Sequence, residues 1–565
     1  MSFSQTGSKP GEPRRTMFSR WHSLLRPEII SILVLGAYAL PGMVWCWPTS
    51  YDRLESYQPM QALKFFATMG HAFHKYGPMS NFVLAPVYAL QLAIWRLTGA
   101  FSKPAQSFPF GFTHPLEQMN WMIAEGRVVF MALCLWSVYV LVKRLGRCSG
   151  SRALTCAVAL LLISSNYCYG AIVASTRTDA LMMAFGGLFM AVYLDAVLDG
   201  LTIRRGVLMA LGSVCAVSSK ELIYAMILLP MAYLVVRVLR GKDPLLAAGK
   251  PLIGWMLTTA GVAVVGYALL DVVYAPATWL QRIHYWTTGE GLDPAIWANY
   301  SAWTNLKMGS LCVLDHLGVG GAVLTAIALV ALLISRPRHS LALTMPVLSF
   351  LVFGVARIHY TEIRYFLPLA LSLPPLVLLG LEQVRLSPAG NWRKRVAVGL
   401  VALCVGSNLV WGLWSFYMID SIREVVMRRD ILSSPRDRTY FIFNVVPQYP
   451  GMYGLSEHGY KVDVRGFQEI VDQNGPWPDT IYIARGGEDF IRDALRPEWD
   501  VPKRVEFLKG LGFYAPGWKG FESEGYCRKR VIEPYTPAWW PFRWMYGVRE
   551  QTKIETVYVY TRPCP

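Results

Sequence analysis

Long apolar runs separated by short basic loops are the feature that most constrains the fold of this chain. The first run, from Ile29 to Trp47, is long enough to cross a bilayer. Ten more lie at 121–142, 153–173, 179–198, 206–219, 221–238, 252–275, 311–335, 341–357, 363–383 and 396–416. Hydrophobic residues make up 54% of the sequence and charged residues only 16%. The sequence therefore predicts a polytopic α-helical membrane protein with about eleven transmembrane helices.

The stretch 206–238 is too long for a single span and carries Lys220 and Glu221 at its middle. A charged pair at that position is costly inside lipid. We therefore expect two short, tilted helices that meet at the membrane surface, with Lys220 and Glu221 at their junction.

The basic residues predict which loops face the cytoplasm. Sixteen Lys or Arg fall in five short loops, at 143–152, 199–206, 237–250, 335–340 and 384–396. The positive-inside rule places all five in the cytoplasm if the apolar stretch 79–98 does not cross the membrane. Asn81, Pro86, Gln91 and Arg96 within that stretch suit a segment that lies along the outer face. Residues 1–28 are then a cytoplasmic segment, 29–417 the transmembrane domain, and 48–120 its first outward loop.

The tail, residues 418–565, is predicted to lie outside as well, because the number of spans is odd. Strand-like and helix-like pieces alternate along it, which is typical of a small α/β domain. The pieces are Thr439–Val445, Tyr460–Val464, Asp479–Ala484, Glu488–Leu495 and Thr556–Thr561. Cys527 and Cys564 could form a disulfide there if the compartment is oxidising.

The net charge of +17 does not indicate a nucleic-acid partner. Basic cytoplasmic loops and anionic lipid headgroups account for it, and no basic helix or stacking platform accompanies the charge. The 20 Trp and 29 Tyr suit membrane interfaces, where amphipathic rings are enriched. Membrane lipids are therefore the expected surroundings.

Polar residues gather at the outward ends of the predicted spans. The groups are Asp52, Glu55, His71, His74 and Lys75; Arg177 and Asp179; Lys220 and Glu221; His284 and Glu290; and Arg357, His359, Glu362 and Arg364. Carboxylates at such a boundary can act as bases, while Lys and Arg can hold an anionic group. This combination favours transfer of a sugar from a polyprenyl-phosphate donor, whose tail enters the bilayer and whose charged linkage meets the cations.

The order of these features resembles the membrane-embedded GT-C glycosyltransferases, in particular the protein O-mannosyltransferases and the bacterial lipid A aminoarabinose transferases. The matching segments are Tyr51-Asp52-Arg53-Leu54-Glu55-Ser56-Tyr57, Lys75-Tyr76-Gly77-Pro78, Arg177-Thr178-Asp179-Ala180, Ser219-Lys220-Glu221 and Arg364-Tyr365-Phe366-Leu367-Pro368. The resemblance covers roughly residues 29–385. It implies a GT-C-like catalytic domain and a bacterial inner membrane, with the active site on the periplasmic face.

The resemblance also implies site residues. The family's adjacent acidic pair is here separated by Arg53-Leu54, so the alignment leaves two candidates for the general base. Asp52 is favoured, followed by Glu55. Asp179 would position the acceptor or the base. The remaining candidates would bind substrate: His74, Lys75, Tyr76, Arg177, Lys220 and Arg364, of which Lys75, Lys220 and Arg364 would contact the lipid phosphate. The acceptor stays open between a lipid, a glycan and a protein.

Two other functions fit the same composition. A transporter or a flippase for lipid-linked glycans would place ionisable residues along a path near the middle of the spans. A non-catalytic partner of a glycosyltransferase would use the outward tail for binding. The spacing of the acidic residues does not require a metal ion. A divalent cation bound beside them is an open alternative.

Overall fold

The computed structural model describes residues 26–45, 57–68, 77–105, 111–164, 176–240, 252–288, 302–337, 339–355, 366–386, 391–414, 439–442, 461–462, 479–484, 525–532 and 557–562. The described residues form fourteen α-helices. These are α1 (Pro27–Trp45), α2 (Tyr57–Thr68), α3 (Met79–Leu97), α4 (Pro115–Leu145), α5 (Arg152–Ser164), α6 (Thr178–Asp199), α7 (Ile203–Val217), α8 (Tyr224–Leu239), α9 (Leu252–Tyr267), α10 (Pro276–Thr288), α11 (Ala302–Ser335), α12 (Ser340–Ser349), α13 (Leu367–Leu386) and α14 (Asn391–Trp414).

Each of the eleven predicted spans overlaps a helix of the described residues. Six helical segments of the described chain are long and apolar enough to cross a membrane. They are Trp121–Leu145, Thr178–Asp199, Glu221–Leu239, Gly254–Val272, His316–Ser335 and Leu367–Leu386. The helix α3, predicted not to cross, is not among the six. A polytopic membrane protein is confirmed at this level, while the count of eleven spans stays a prediction.

The helices α6 and α13 form the centre of the bundle. Sixteen of the 22 residues of α6 are buried, and at 1.5 Å per residue the helix is about 33 Å long, enough for the hydrocarbon layer. Small residues bring its neighbours close. A Cβ on Gly186 would meet Leu371 of α13, and a Cβ on Gly187 would meet Ser137 of α4. Close packing through small residues is the usual means of helix association in membranes.

The predicted interruption of 206–238 is present. The helix α7 ends at Val217, Lys220 has an extended backbone, and a short 3-10 turn, Glu221–Ile223, leads into α8. A second interruption lies in α11, where Gly318 has a φ of +67°. There the Asn408 side chain of α14 accepts from the Gly320 N–H at 3.1 Å and donates to the Leu317 carbonyl at 2.7 Å. The amide thus satisfies backbone groups that the interrupted helix leaves without partners.

Four of the five loops predicted to be cytoplasmic meet at one end of the bundle, the Asp199 end. Arg144 and Arg147 contact Asp195 at 2.9 and 2.7 Å, and Arg205 contacts Asp199 at 2.8 Å. Further contacts join the remaining two loops to this end: Arg237 Nη1 donates to the Val197 carbonyl at 3.0 Å, and Glu382, which pairs with Arg385, accepts from Ser149 Oγ at 2.7 Å. These four loops therefore lie at the same end of the bundle, and their cytoplasmic location stays a prediction.

Five strands of the tail form one mixed sheet in the order β2-β1-β3-β5-β4. The strands are β1 (Thr439–Ile442), β2 (Lys461–Val462), β3 (Thr480–Ala484), β4 (Cys527–Ile532) and β5 (Val557–Thr561). The strand β1 is parallel to β2 and β3, whereas β5 is antiparallel to β3 and β4. Four strands match predicted segments and β4 was not predicted. The predicted helix 488–495 lies outside the described residues. Cys527 is disulfide-bonded; Cys564 also lies outside, so their pairing stays a prediction.

Candidate functional site

A buried ion pair connects the start of α6 with the junction between α7 and α8. Asp179 is in the first turn of α6, where the helix dipole favours an acid. Its carboxylate Oδ1 accepts from the Lys220 ammonium, and the two side chains are only 4% and 5% exposed. Arg177 Nε lies 3.8 Å from the other oxygen, Oδ2. Two groups predicted to share the outward boundary therefore lie in contact.

A second ion pair lies next to the first. Glu221, the residue after Lys220, connects the two pairs. Arg282 of α10 pairs with Asp271, which lies in the π-helical turn that ends the α9 segment. Both side chains are 3% exposed, and Arg282 Nε lies 3.6 Å from Glu221 Oε1. Within the described part of the chain, Glu221 Oε2 and Asp271 Oδ2 are buried without a hydrogen-bond partner.

Together these side chains form one continuous group, the charge network. Its members are Arg177, Asp179, Lys220, Glu221, Asp271 and Arg282. Three cations and three carboxylates leave it formally neutral, which is how charges are tolerated in an enclosed bundle. The network lies at the end of α6 opposite Asp199, about 30 Å away along the helix. We name this end of the bundle the Asp179 end.

Gly77, in the run His74-Lys75-Tyr76-Gly77-Pro78, lies against the α7–α8 junction that carries Lys220 and Glu221 of the network. A Cβ on Gly77 would collide with the Ser218 backbone carbonyl, so only glycine permits this approach. The Met79 N–H donates to the same carbonyl at 3.1 Å. The start of α3 is thereby attached to the α7–α8 junction, two residues before Lys220.

An aromatic cluster connects α2 and α3 to the same end. Tyr274, three residues after Asp271, stacks on Phe65 of α2 with ring centroids 5.6 Å apart. It also meets Phe82 of α3 edge to face at 4.9 Å. The helices α2 and α3 are thus packed beside the charge network.

Two charged residues of α4 lie close to this end as well. A Cβ on Gly126 would meet the methyl group of Thr176, the residue before Arg177. Arg127, the next residue, is 3% exposed. With the Gln91 side-chain amide of α3 oriented so that its nitrogen donates and its oxygen accepts, the nitrogen lies 3.2 Å from Glu125 Oε1. Glu125 and Arg127 of α4 therefore add ionisable groups near the Asp179 end.

The structure brings together three of the nine predicted site residues: Arg177, Asp179 and Lys220. The other six lie outside the described residues: Asp52, Glu55, His74, Lys75, Tyr76 and Arg364. Asp271, Arg282 and Arg127 were not predicted. Two of them had a usable signal, because Asp271 and Arg127 are charged residues inside apolar runs. Arg282 had none, since it is an ordinary basic residue of a polar segment.

The arrangement is suited to an anionic ligand at a membrane boundary. Guanidinium and ammonium groups donate charge-assisted hydrogen bonds to phosphate, and the carboxylates hold them in fixed positions. Glu221 has a side chain that is 23% exposed, although its oxygen Oε2 is buried. Across the described ranges, no three His, Cys, Asp or Glu side chains lie close enough to hold a metal ion.

Fold and site define a polytopic helical membrane protein with a buried charge network at one end. No protein-family model and no curated protein matches the chain. Among solved structures it is similar to the crystal structure of ArnT from Cupriavidus metallidurans bound to undecaprenyl phosphate, with 14% identity and a TM-score of 0.45. The apo crystal structure of the same protein matches with 12% identity and a TM-score of 0.44. Each comparison covers 85% of this chain and 95% of the other.

Proposed function

We propose that this protein is a membrane glycosyltransferase that moves a sugar from a polyprenyl-phosphate donor to an acceptor at the extracytoplasmic face. The observation that carries the proposal is the charge network, with Lys220 and Arg282 buried at the end of the bundle opposite the basic loops. A cation buried in a membrane bundle is costly and is retained for a function. A lipid phosphate is the anion whose apolar tail and charged head suit this boundary.

The position of the network within the helices supports an enzyme over a transporter. Asp179 is the second residue of its span, Glu221 the first of the next, and Asp271 the last but one of a third. Transport requires ionisable groups along a path through the middle of the membrane. Charges confined to one end of three spans suit chemistry on a headgroup at the surface.

In the proposed reaction a carboxylate removes the proton from the acceptor hydroxyl, and the resulting oxygen attacks the anomeric carbon. The bond between that carbon and the phosphate oxygen breaks through an oxocarbenium-like transition state. Lys220 and Arg282 stabilise the charge that develops on the departing lipid phosphate. Asp52, followed by Glu55, is the proposed base. Asp179 positions Lys220, because both of its oxygens already face cations.

Binding of undecaprenyl phosphate, a phosphate that such a donor would release, tests the proposal. We would measure its affinity for the full chain in nanodiscs for the wild type, Lys220→Met and Arg282→Met. Each variant removes charge-assisted hydrogen bonds, so the Kd should rise about 10- to 100-fold. Lys103→Met, which removes an exposed cation, should leave the Kd unchanged. Unchanged affinity in both network variants would refute the proposed donor site.

A transfer assay tests the remaining roles. It uses undecaprenyl-phosphate sugars as donors and measures the release of undecaprenyl phosphate. The variants Asp52→Asn and Glu55→Gln should identify which carboxylate is the base, since loss of the base abolishes transfer while undecaprenyl phosphate still binds. Measuring transfer with and without EDTA tests the need for a divalent cation. Movement of the labelled lipid across the bilayer without any transfer would favour the flippase.

A further inference from the structure

A groove of about 340 Å³ lies on the side of the bundle between α11, α13 and α14. All of its lining residues are apolar or aromatic: Leu324, Ile327, Leu381, Val384, Trp392, Val396, Ala397, Leu400 and Val401. Its volume is in the range of small-molecule binding sites. A groove of this composition takes a hydrocarbon chain, because it offers no polar group to fix a polar ligand.

Part of the groove lining lies near the Asp199 end, away from the charge network. Leu381 precedes Glu382, which contacts the 146–151 loop through Ser149. Val384 precedes Arg385, and Trp392 is in the first turn of α14. The polyprenyl tail of a donor bound at Lys220 would enter the bilayer from the opposite end, so it is not the expected occupant.

Three consecutive basic residues, Arg393, Lys394 and Arg395, lie in the first turn of α14, and Arg395 directly precedes Val396 of the groove lining. Cations are unfavourable in a first helical turn because of the helix dipole, so they do not stabilise this helix start. Arg395 is exposed, and the Trp392 ring beside it is 66% exposed. An interfacial tryptophan marks the headgroup level of a bilayer.

We propose that this groove binds one acyl chain of an anionic glycerophospholipid, with the phosphate at Arg395. Charge complementarity selects the lipid class, because a zwitterionic headgroup gains less from a cation at the headgroup level. This site is independent of the proposed glycosyl transfer, since it shares no residue with the charge network and lies at the other end of the bundle.

Native mass spectrometry of the full chain with phosphatidylglycerol or phosphatidylcholine of identical acyl chains tests the proposal. The wild type should retain phosphatidylglycerol in preference. Ala397→Trp fills the groove and should weaken phosphatidylglycerol binding at least about tenfold. Val398→Trp is the matched control, because Val398 is 69% exposed, is not part of the groove lining and points about 100° away.

The headgroup contact is tested separately. Arg395→Gln should weaken phosphatidylglycerol binding about fivefold, the effect of one basic residue at an anionic surface, and leave phosphatidylcholine unaffected. Arg240→Gln, at an exposed arginine outside the groove lining, is its control. Equal retention of the two lipids by the wild type would overturn the proposal. So would unchanged binding in Ala397→Trp, or displacement of phosphatidylglycerol by equimolar undecaprenyl phosphate.

Discussion

Replacing Asp179 with Asn isolates the contribution of its ion pair with Lys220 to the free energy of unfolding. Asparagine has nearly the same size, so the substitution removes a charge without opening a cavity. Two unit charges 4 Å apart interact by about 4 kcal/mol at an effective dielectric constant of about 20. Removing one partner of a buried pair costs about 3–5 kcal/mol, because the other charge stays buried without compensation. With side chains 4% and 5% exposed, this pair belongs in that range.

A double-mutant cycle makes the prediction precise. Asp179→Asn leaves the Lys220 ammonium facing Arg177, a second cation, and should cost about 3–5 kcal/mol. Lys220→Met leaves Asp179 with Arg177 Nε at 3.8 Å, so its cost should fall at the lower end of that range. The double variant should be less destabilised than the sum of the single variants by about 2 kcal/mol or more.

The free energy of unfolding would be measured by SDS titration in detergent micelles, with far-UV circular dichroism reporting helix content. Additivity of the two substitutions within about 0.5 kcal/mol would refute the coupling. So would a cost below about 1 kcal/mol for Asp179→Asn, which is the effect of an exposed pair. The double variant also separates stability from function: it should fold, yet bind undecaprenyl phosphate as weakly as Lys220→Met does.

Two further substitutions test how the ends of the bundle are built. Gly77→Ala should cost about 1–3 kcal/mol and impair donor binding, because its Cβ would collide with the Ser218 carbonyl; Gly261→Ala, where a Cβ meets open space, is the control in the same SDS titration. Asp199→Asn should cost about 1 kcal/mol or less, since Asp199 and Arg147 are 34% and 39% exposed. A loss as large as that of Asp179→Asn would contradict this distinction between the two ends.

The positions of the helices were predictable because hydropathy is a local property of the chain. Whether an apolar run is long and apolar enough to enter the membrane depends on its own residues and not on the segments that it later packs against. The break at Lys220-Glu221 was predictable for the same reason, since a charged pair is costly within a span. The convergence of the basic loops followed from counting their charges and alternating the sides of the spans.

The tail shows where local patterns fail. The strand β4 contains Cys527-Arg528-Lys529-Arg530, and basic residues have a low intrinsic preference for strands. Its conformation comes from pairing with β5 at the edge of the sheet, where charged side chains are tolerated. That pairing joins residues from 25 (Ile532 and Val557) to 34 (Cys527 and Thr561) positions apart in the sequence, which no local pattern contains.

The candidate site divides in the same way. The sequence by itself placed Asp179 and Lys220 at helix ends, because charged residues are excluded from the apolar interior of a span. Only the tertiary structure decided which charges pair. Lys220 meets Asp179 across 41 residues of sequence, and Arg282 meets Asp271 at the end of a different helix. Such pairing depends on which helices are neighbours in the bundle, and that depends on the close packing of residues such as Gly186 and Gly77.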